Sequence, residues 1–105
     1  MGVGTPVIST AWSGNMEYMT NMNAALVNYR MIPVNGEYFG SIPGDNLMWA
    51  DPDVDEAAKF MRRMVDDNEW REELIRNGRI TVDEWFNITN MSKSMRDRLE
   101  FLELL

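Results

Sequence analysis

The chain contains no cysteine and no histidine. The first absence removes disulfide scaffolds and thiol nucleophiles. The second removes Ser-His-Asp triads, and the two together remove the usual zinc sites. No apolar run approaches the roughly 20 residues that a membrane-spanning helix needs. The N-terminus has no basic segment followed by an apolar one, so no secretion signal is read there. Basic residues are scarce in the first half. Residues 1–50 carry Arg30 as their one base and Glu17, Glu37 and Asp45 as their acids. The net charge is −7, and it disfavours general binding to nucleic acid or to membrane surfaces, because both are anionic. The expected compartment is the cytoplasm.

What remains is an ordinary globular composition: 105 residues with 45% hydrophobic content. One domain over residues 1–105 is expected, with a modest core. Residues 51–105 carry fourteen acids and nine bases, a mixed-charge pattern typical of exposed helices.

Thr5-Pro-Val-Ile-Ser-Thr10 reads as a short buried strand, with Pro6 at its start where a missing N–H costs least. Ser13-Gly14-Asn15 forms a loop, and Ser13 or Asn15 is a candidate cap for a short helix carrying Glu17, Tyr18 and Met19. Ala25–Tyr29 and Leu47–Ala50 read as further strands. Residues 35–46 hold three Gly and one Pro and read as a solvated loop pinned by Tyr38 and Phe39. From Asp51 the chain turns helical. Asp53 and Glu56 stand at capping-box spacing, and Val54, Ala57, Ala58, Met61, Met64 and Val65 fall within one apolar arc. Asp66-Asp67-Asn68 breaks this helix. A second carries Trp70, Leu74 and Ile75 and ends at Asn77-Gly78, a C-cap pair. A short third helix starts at Thr81, and a last one spans residues 91–105 with a Met91, Met95, Leu99, Leu102 stripe. The ten Met, mostly at helical spacing, read as core packing. Asn87 and Asn90 fit the glycosylation sequon, but without a secretion signal they read as capping and turn residues. The acids Asp51, Asp53, Asp55 and Glu56 lack calcium-loop spacing and read as a helix start.

Ser13, Gly14, Asn15 and Glu17 are the candidate binding residues. Backbone N–H groups after a strand and at a helix start suit a phosphate. The same residues also suit a plain strand-to-helix turn, with Glu17 as a first-turn acid. Both roles stand on the residues alone.

Gly4-Thr-Pro-Val-Ile-Ser-Thr10, Ser13-Gly14-Asn15 and Glu17, followed by Trp49-Ala-Asp-Pro-Asp-Val54, Ala57-Ala58 and Met61-Arg62-Arg63, resemble the C-terminal part of the donor-binding domain of GT-B glycosyltransferases. The likeness is to the large retaining class called group 1. It implies a partial doubly wound, Rossmann-like, three-layer α/β fold. A small, mostly parallel sheet of two to four strands would be followed by C-terminal helices. It also implies a nucleotide-sugar ligand lying against Ser13, Gly14, Asn15 and Glu17. The family's paired catalytic Glu, its diphosphate-gripping bases and its acceptor domain would all lie upstream of these motifs. The expectation is therefore a donor-site remnant, with no catalytic residue, no metal and no cofactor, that does not turn over alone. The rival expectation is a non-enzymatic interaction module. A sheet with so few strands is expected to leave apolar surface for a homodimer or a partner protein.

Overall fold

The computed structural model describes residues 1–34 and 47–105. The expected loop at 35–46, with Tyr38 and Phe39, lies outside the described residues. The chain is mixed α/β. Strands β1 (Ile8–Thr10), β2 (Ala25–Val27), β3 (Tyr29–Pro33) and β4 (Met48–Pro52) precede helices α1 (Val54–Asp66), α2 (Asn68–Trp85) and α3 (Ile88–Phe101).

A single small, mostly parallel sheet does not form among these strands. β1 and β2 pair in parallel, Ile8 opposite Ala25 and Thr10 opposite Val27. β3 and β4 pair antiparallel, Tyr29 opposite Pro52 and Pro33 opposite Met48. Only Asn28 separates β2 from β3, and there the chain leaves one pair and enters the other. The Glu56 carboxylate accepts from both the backbone N–H and the side-chain amide of Asn28, and Asp53 N donates to Asn28 O at 2.8 Å. These bonds take up the backbone groups of Asn28 that would otherwise extend a common sheet.

The core is small. Among the described residues, Met19, Ala24, Ala25, Leu26, Val27 and Leu74 are buried and apolar, with Met1, Val7, Ala11 and Tyr18 packed against Met19, Ala24 and Leu26. β2 is buried at all three positions, as a strand covered on both faces should be. At its edge sits Asn23, only 5% exposed. Its Oδ1 accepts from Thr20 N at 2.8 Å, and its Nδ2 donates to Tyr18 O and to Thr81 Oγ1, both at 2.9 Å. The loop before β2 is thereby fastened to α2. Asn77 Nδ2 adds a bond to Met22 O at 2.8 Å.

That fastening explains why α2 does not stop at Asn77-Gly78. Gly78 is buried, and a Cβ there would lie 3.4 Å from the Met1 side chain and 3.6 Å from Asn23 O. These are ordinary contacts, and the residue lies inside the helix with no left-handed cap. The helix runs on to Trp85 and absorbs the separate helix expected from Thr81.

The caps are local and legible. Asp53 accepts from Glu56 N at the start of α1, while the Glu56 side chain turns to Asn28 instead of closing a capping box. Asp67 accepts from Trp70 N and caps α2. That backbone N–H, with Arg63 Nε 3.0 Å away, holds the Asp67 carboxyl below its ordinary range. Asn87 accepts from Asn90 N and caps α3, which begins at Ile88 rather than at residue 91.

Only part of the apolar arc of α1 faces the body. Ala57, Phe60 and Met64 are partly buried, and Phe60 stacks on Trp70 at 6.0 Å with Arg63 over the same indole at 4.2 Å. Val54, Ala58, Met61 and Val65 point outward. Met16, Met22, Met48, Met61, Met91 and Met95 are exposed, so core packing describes only Met19 fully. Every residue of α3 is exposed.

The shape follows from this. The radius of gyration is 18.0 Å, against about 13 Å for a compact chain of this length. The accessible surface is 8146 Å², against roughly 6,100 Å² for a compact monomer of this mass. No helix among the described residues is long and apolar enough to cross a membrane.

Replacing Asn23 with Ala strands Thr20 N, Tyr18 O and the Thr81 hydroxyl in a largely buried setting. We expect a loss of about 2–3 kcal/mol in urea unfolding, with the midpoint falling and the slope unchanged. A loss below about 0.5 kcal/mol would show that the loop is held to α2 by other means.

Candidate functional site

Ser13–Glu17 forms a single 3₁₀ turn between β1 and the loop that leads to Asn23. Its N-cap is Trp12, which makes no side-chain capping bond. Neither Ser13 nor Asn15 caps it, contrary to the sequence expectation. Asn15 turns back instead. Its Nδ2 donates to Ser9 Oγ and Thr10 O, both at 3.0 Å, and lies 3.7 Å from Met19 Sδ. The residue ties the turn to the end of β1, and its amide hydrogens are used in doing so.

The left-handed backbone falls on Ser13, with φ 71°, and not on Gly14. A Cβ at Gly14 would meet nothing within 4 Å. Gly14 is therefore needed neither for a special backbone nor for close approach of any described atom. Trp12 sets its ring edge against Tyr29 at 5.1 Å, filling the strand-to-turn corner.

Glu17 is placed differently. It borders a cleft of about 260 Å³ between the turn and the second half of α2, shared with Tyr18, Thr20, Met22, Asn23, Asn77, Ile80, Thr81 and Trp85. Asn77, Thr81 and Trp85 follow one another at i, i+4 and i+8 along one face of α2. Sequence reasoning missed them because it ended the helix at Gly78. The spacing itself was the available signal. Asn23 and Thr81 spend their side-chain polar groups on each other and on their neighbours, Thr81 Oγ1 donating to Asn77 O at 3.0 Å, while Asn77 Nδ2 donates to Met22 O. The cleft sets the Glu17 carboxylate beside an apolar shelf of Met22, Ile80 and Trp85.

Of the four candidate residues, only Glu17 lines this cleft. Ser13 and Gly14 are exposed beyond it, and Asn15 is committed to β1. A second cleft, of about 470 Å³, lies between β2 and α1 and includes Met16, Glu56, Phe60, Arg63 and Trp70. Its charged groups are engaged, Glu56 with Asn28 and Arg63 with Asp67 and Trp70. A third, of about 540 Å³, runs along Asn28, Arg30, Asp51 and Val54, where Arg30 pairs with Asp51 at 2.9 Å. Among the described residues, no group of three or more His, Cys, Asp or Glu stands close enough to hold a metal ion. The acids at 51–56 are spread over a salt bridge, a cap and the Asn28 contact, in keeping with a helix start.

No protein-family model, curated protein or solved structure matches this chain.

The turn makes a graded prediction. Asn15→Ala should cost about 1–2 kcal/mol through its two lost bonds. Gly14→Ala should stay within about 0.5 kcal/mol of the parent. Ser13→Gly should stabilise by about 1 kcal/mol by relieving the left-handed serine. Thermal unfolding of the three variants checks the order, and a strongly destabilised Gly14→Ala would contradict the geometry.

Proposed function

We propose that the chain acts as a non-enzymatic interaction module, whose exposed helical faces associate with protein. One observation carries this reading: α3 is amphipathic, yet none of its residues is buried against the rest of the chain. Ile88, Met91, Met95, Leu99 and Leu102 fall within one arc of the helix and stand in solvent. A contiguous exposed stripe of this kind marks an interaction surface. The outer face of α1 repeats the pattern. The compact part of the molecule supplies the scaffold, and the helices supply the contact.

The reading depends on those faces being uncovered in the free chain. Small-angle scattering on dilute protein should give a radius of gyration near the 18.0 Å of the structure, enlarged by hydration. A value near about 13 Å would mean that α3 folds down onto the body. The proposal would then fall.

A second reading has one observation in its favour. Glu17 lies on a cleft wall next to the parallel β1–β2 pair, in the region where the resemblance to a glycosyltransferase donor domain puts its ligand. On this reading the chain is a Rossmann-like donor-site remnant that binds a nucleotide sugar weakly and transfers nothing alone. Amide NMR titration with UDP, GDP and ADP, each with and without a sugar, tests it. Saturable shifts at Glu17, Asn77 and Trp85 are expected, and none at several millimolar would end this reading.

A further inference from the structure

We infer that two copies of the chain pair through the outer face of α1, with the two helices antiparallel. This rests on the interaction-module reading and names its partner as a second copy.

α1 has two apolar faces. The inner one, with Phe60 and Met64, packs on the chain's own body. The outer one is Val54, Ala58, Met61 and Val65, spaced four, three and four residues apart. That alternation is the seam of a two-helix coiled coil, with Val54 and Met61 at d and Ala58 and Val65 at a. The exposures are 72% for Val54, 60% for Met61 and 75% for Val65. Nothing among the described residues packs over them.

The flanks decide the partner and its direction. In this register Asp55 and Arg62 occupy the e positions, and Ala57 and Met64 the g positions. Neither Asp55 nor Arg62 forms an ion pair within the described chain. An antiparallel two-fold between residues 59 and 60 sets Val54 on Val65 of the second copy and Ala58 on its Met61. The same operation brings Asp55 beside Arg62 of the second copy, twice over, and Ala57 beside its Met64. A parallel pair would instead oppose e to g, leaving both charges against Ala57 and Met64. Charge complementarity therefore selects a self-complementary, isologous contact.

The area is modest. At 25 cal/mol per Å², Val54, Met61 and Val65 carry roughly 60–120 Å² each and Ala58 far less, so the seam offers roughly 200–400 Å² of apolar area per copy. With homodimer interfaces about 65% apolar, the total comes to roughly 300–600 Å² per copy, below the ~800 Å² of a standard interface. The expected dimer is weak, with a dissociation constant on the order of 10–100 µM.

The test is charge exchange read by sedimentation equilibrium, up to about 300 µM of the full chain. The parent should reach a dimer. Asp55→Arg and Arg62→Asp should each weaken it by about 10-fold, because each puts like charges together twice. An equimolar mixture of the two variants should form a heterodimer as tight as the parent. The doubly exchanged chain should dimerise again, and circular dichroism should show the same helix content throughout. The doubly exchanged chain also keeps the basic residue at the start of α1, so its recovery separates the interface from any helix-end effect. A dimer indifferent to all four arrangements overturns the proposal, and so does a parent that stays monomeric. A monomer that keeps its extended radius of gyration sinks this pairing alone. A compact one sinks the interaction-module reading with it.

Discussion

The structure depends on the burial of one amide. Asn23 sits at the edge of a core that holds six buried apolar residues among those described, and it satisfies three polar groups from two parts of the chain. A buried amide is tolerated only when its donors and acceptor are paired, and here each pairing also fixes a neighbour. Thr20 and Tyr18 hold the loop in shape, and Thr81 brings α2 over it. With the bond from Asn77 Nδ2 to Met22 O, the Asn23 amide fastens the long helix to the loop before β2. α3 is referred to that same helix through the Asn87 cap, while α1 meets α2 at Trp70 and the β1–β2 pair directly.

A second polar junction, at Asn28, divides the strands. Glu56 and Asp53 satisfy this residue from the start of α1, so one helix N-terminus both ends a parallel pair and begins an antiparallel one. Polar bonds at junctions thus do much of the positioning that a large apolar core would do elsewhere. The apolar residues not needed there stand on the outer helix faces. This is the arrangement expected of a chain that completes its hydrophobic burial by association.

Local signals in the sequence carried far into the structure, and long-range ones did not. Asp53 and Asn87 read as caps because a cap is decided within three residues. β1 and β2 read as strands because short apolar runs between turn residues have few alternatives. Asn77-Gly78 misled because the pair that ends an exposed helix can also lie within one, where Asn77 and Thr81 bond to the loop before β2, and only tertiary contact distinguishes the two. The apolar arc of α1 was visible in the sequence, but not its division into an inner face set by Phe60 and Trp70 and an outer one. At the candidate site, Glu17 lines a cleft, and Trp85, which shares it, carried no sequence signal once the helix was ended at Gly78. The expected cap at Ser13 or Asn15 does not form, because Asn15 has its partners in β1 and the left-handed residue is Ser13.

The caps at the head of α3 have a further consequence. This helix is joined to α2 through Asn87, whose side chain donates to Asp83 O, and Asn90, whose side chain donates to Glu84 O. Among the described residues little else secures it, so its fourteen residues should open without disturbing the Asn23 junction. A partner that docks there must bear the ordering entropy of the segment it captures. Contact with α3 would therefore be readily reversible, and its strength adjustable by changes in helix propensity that never touch the partner.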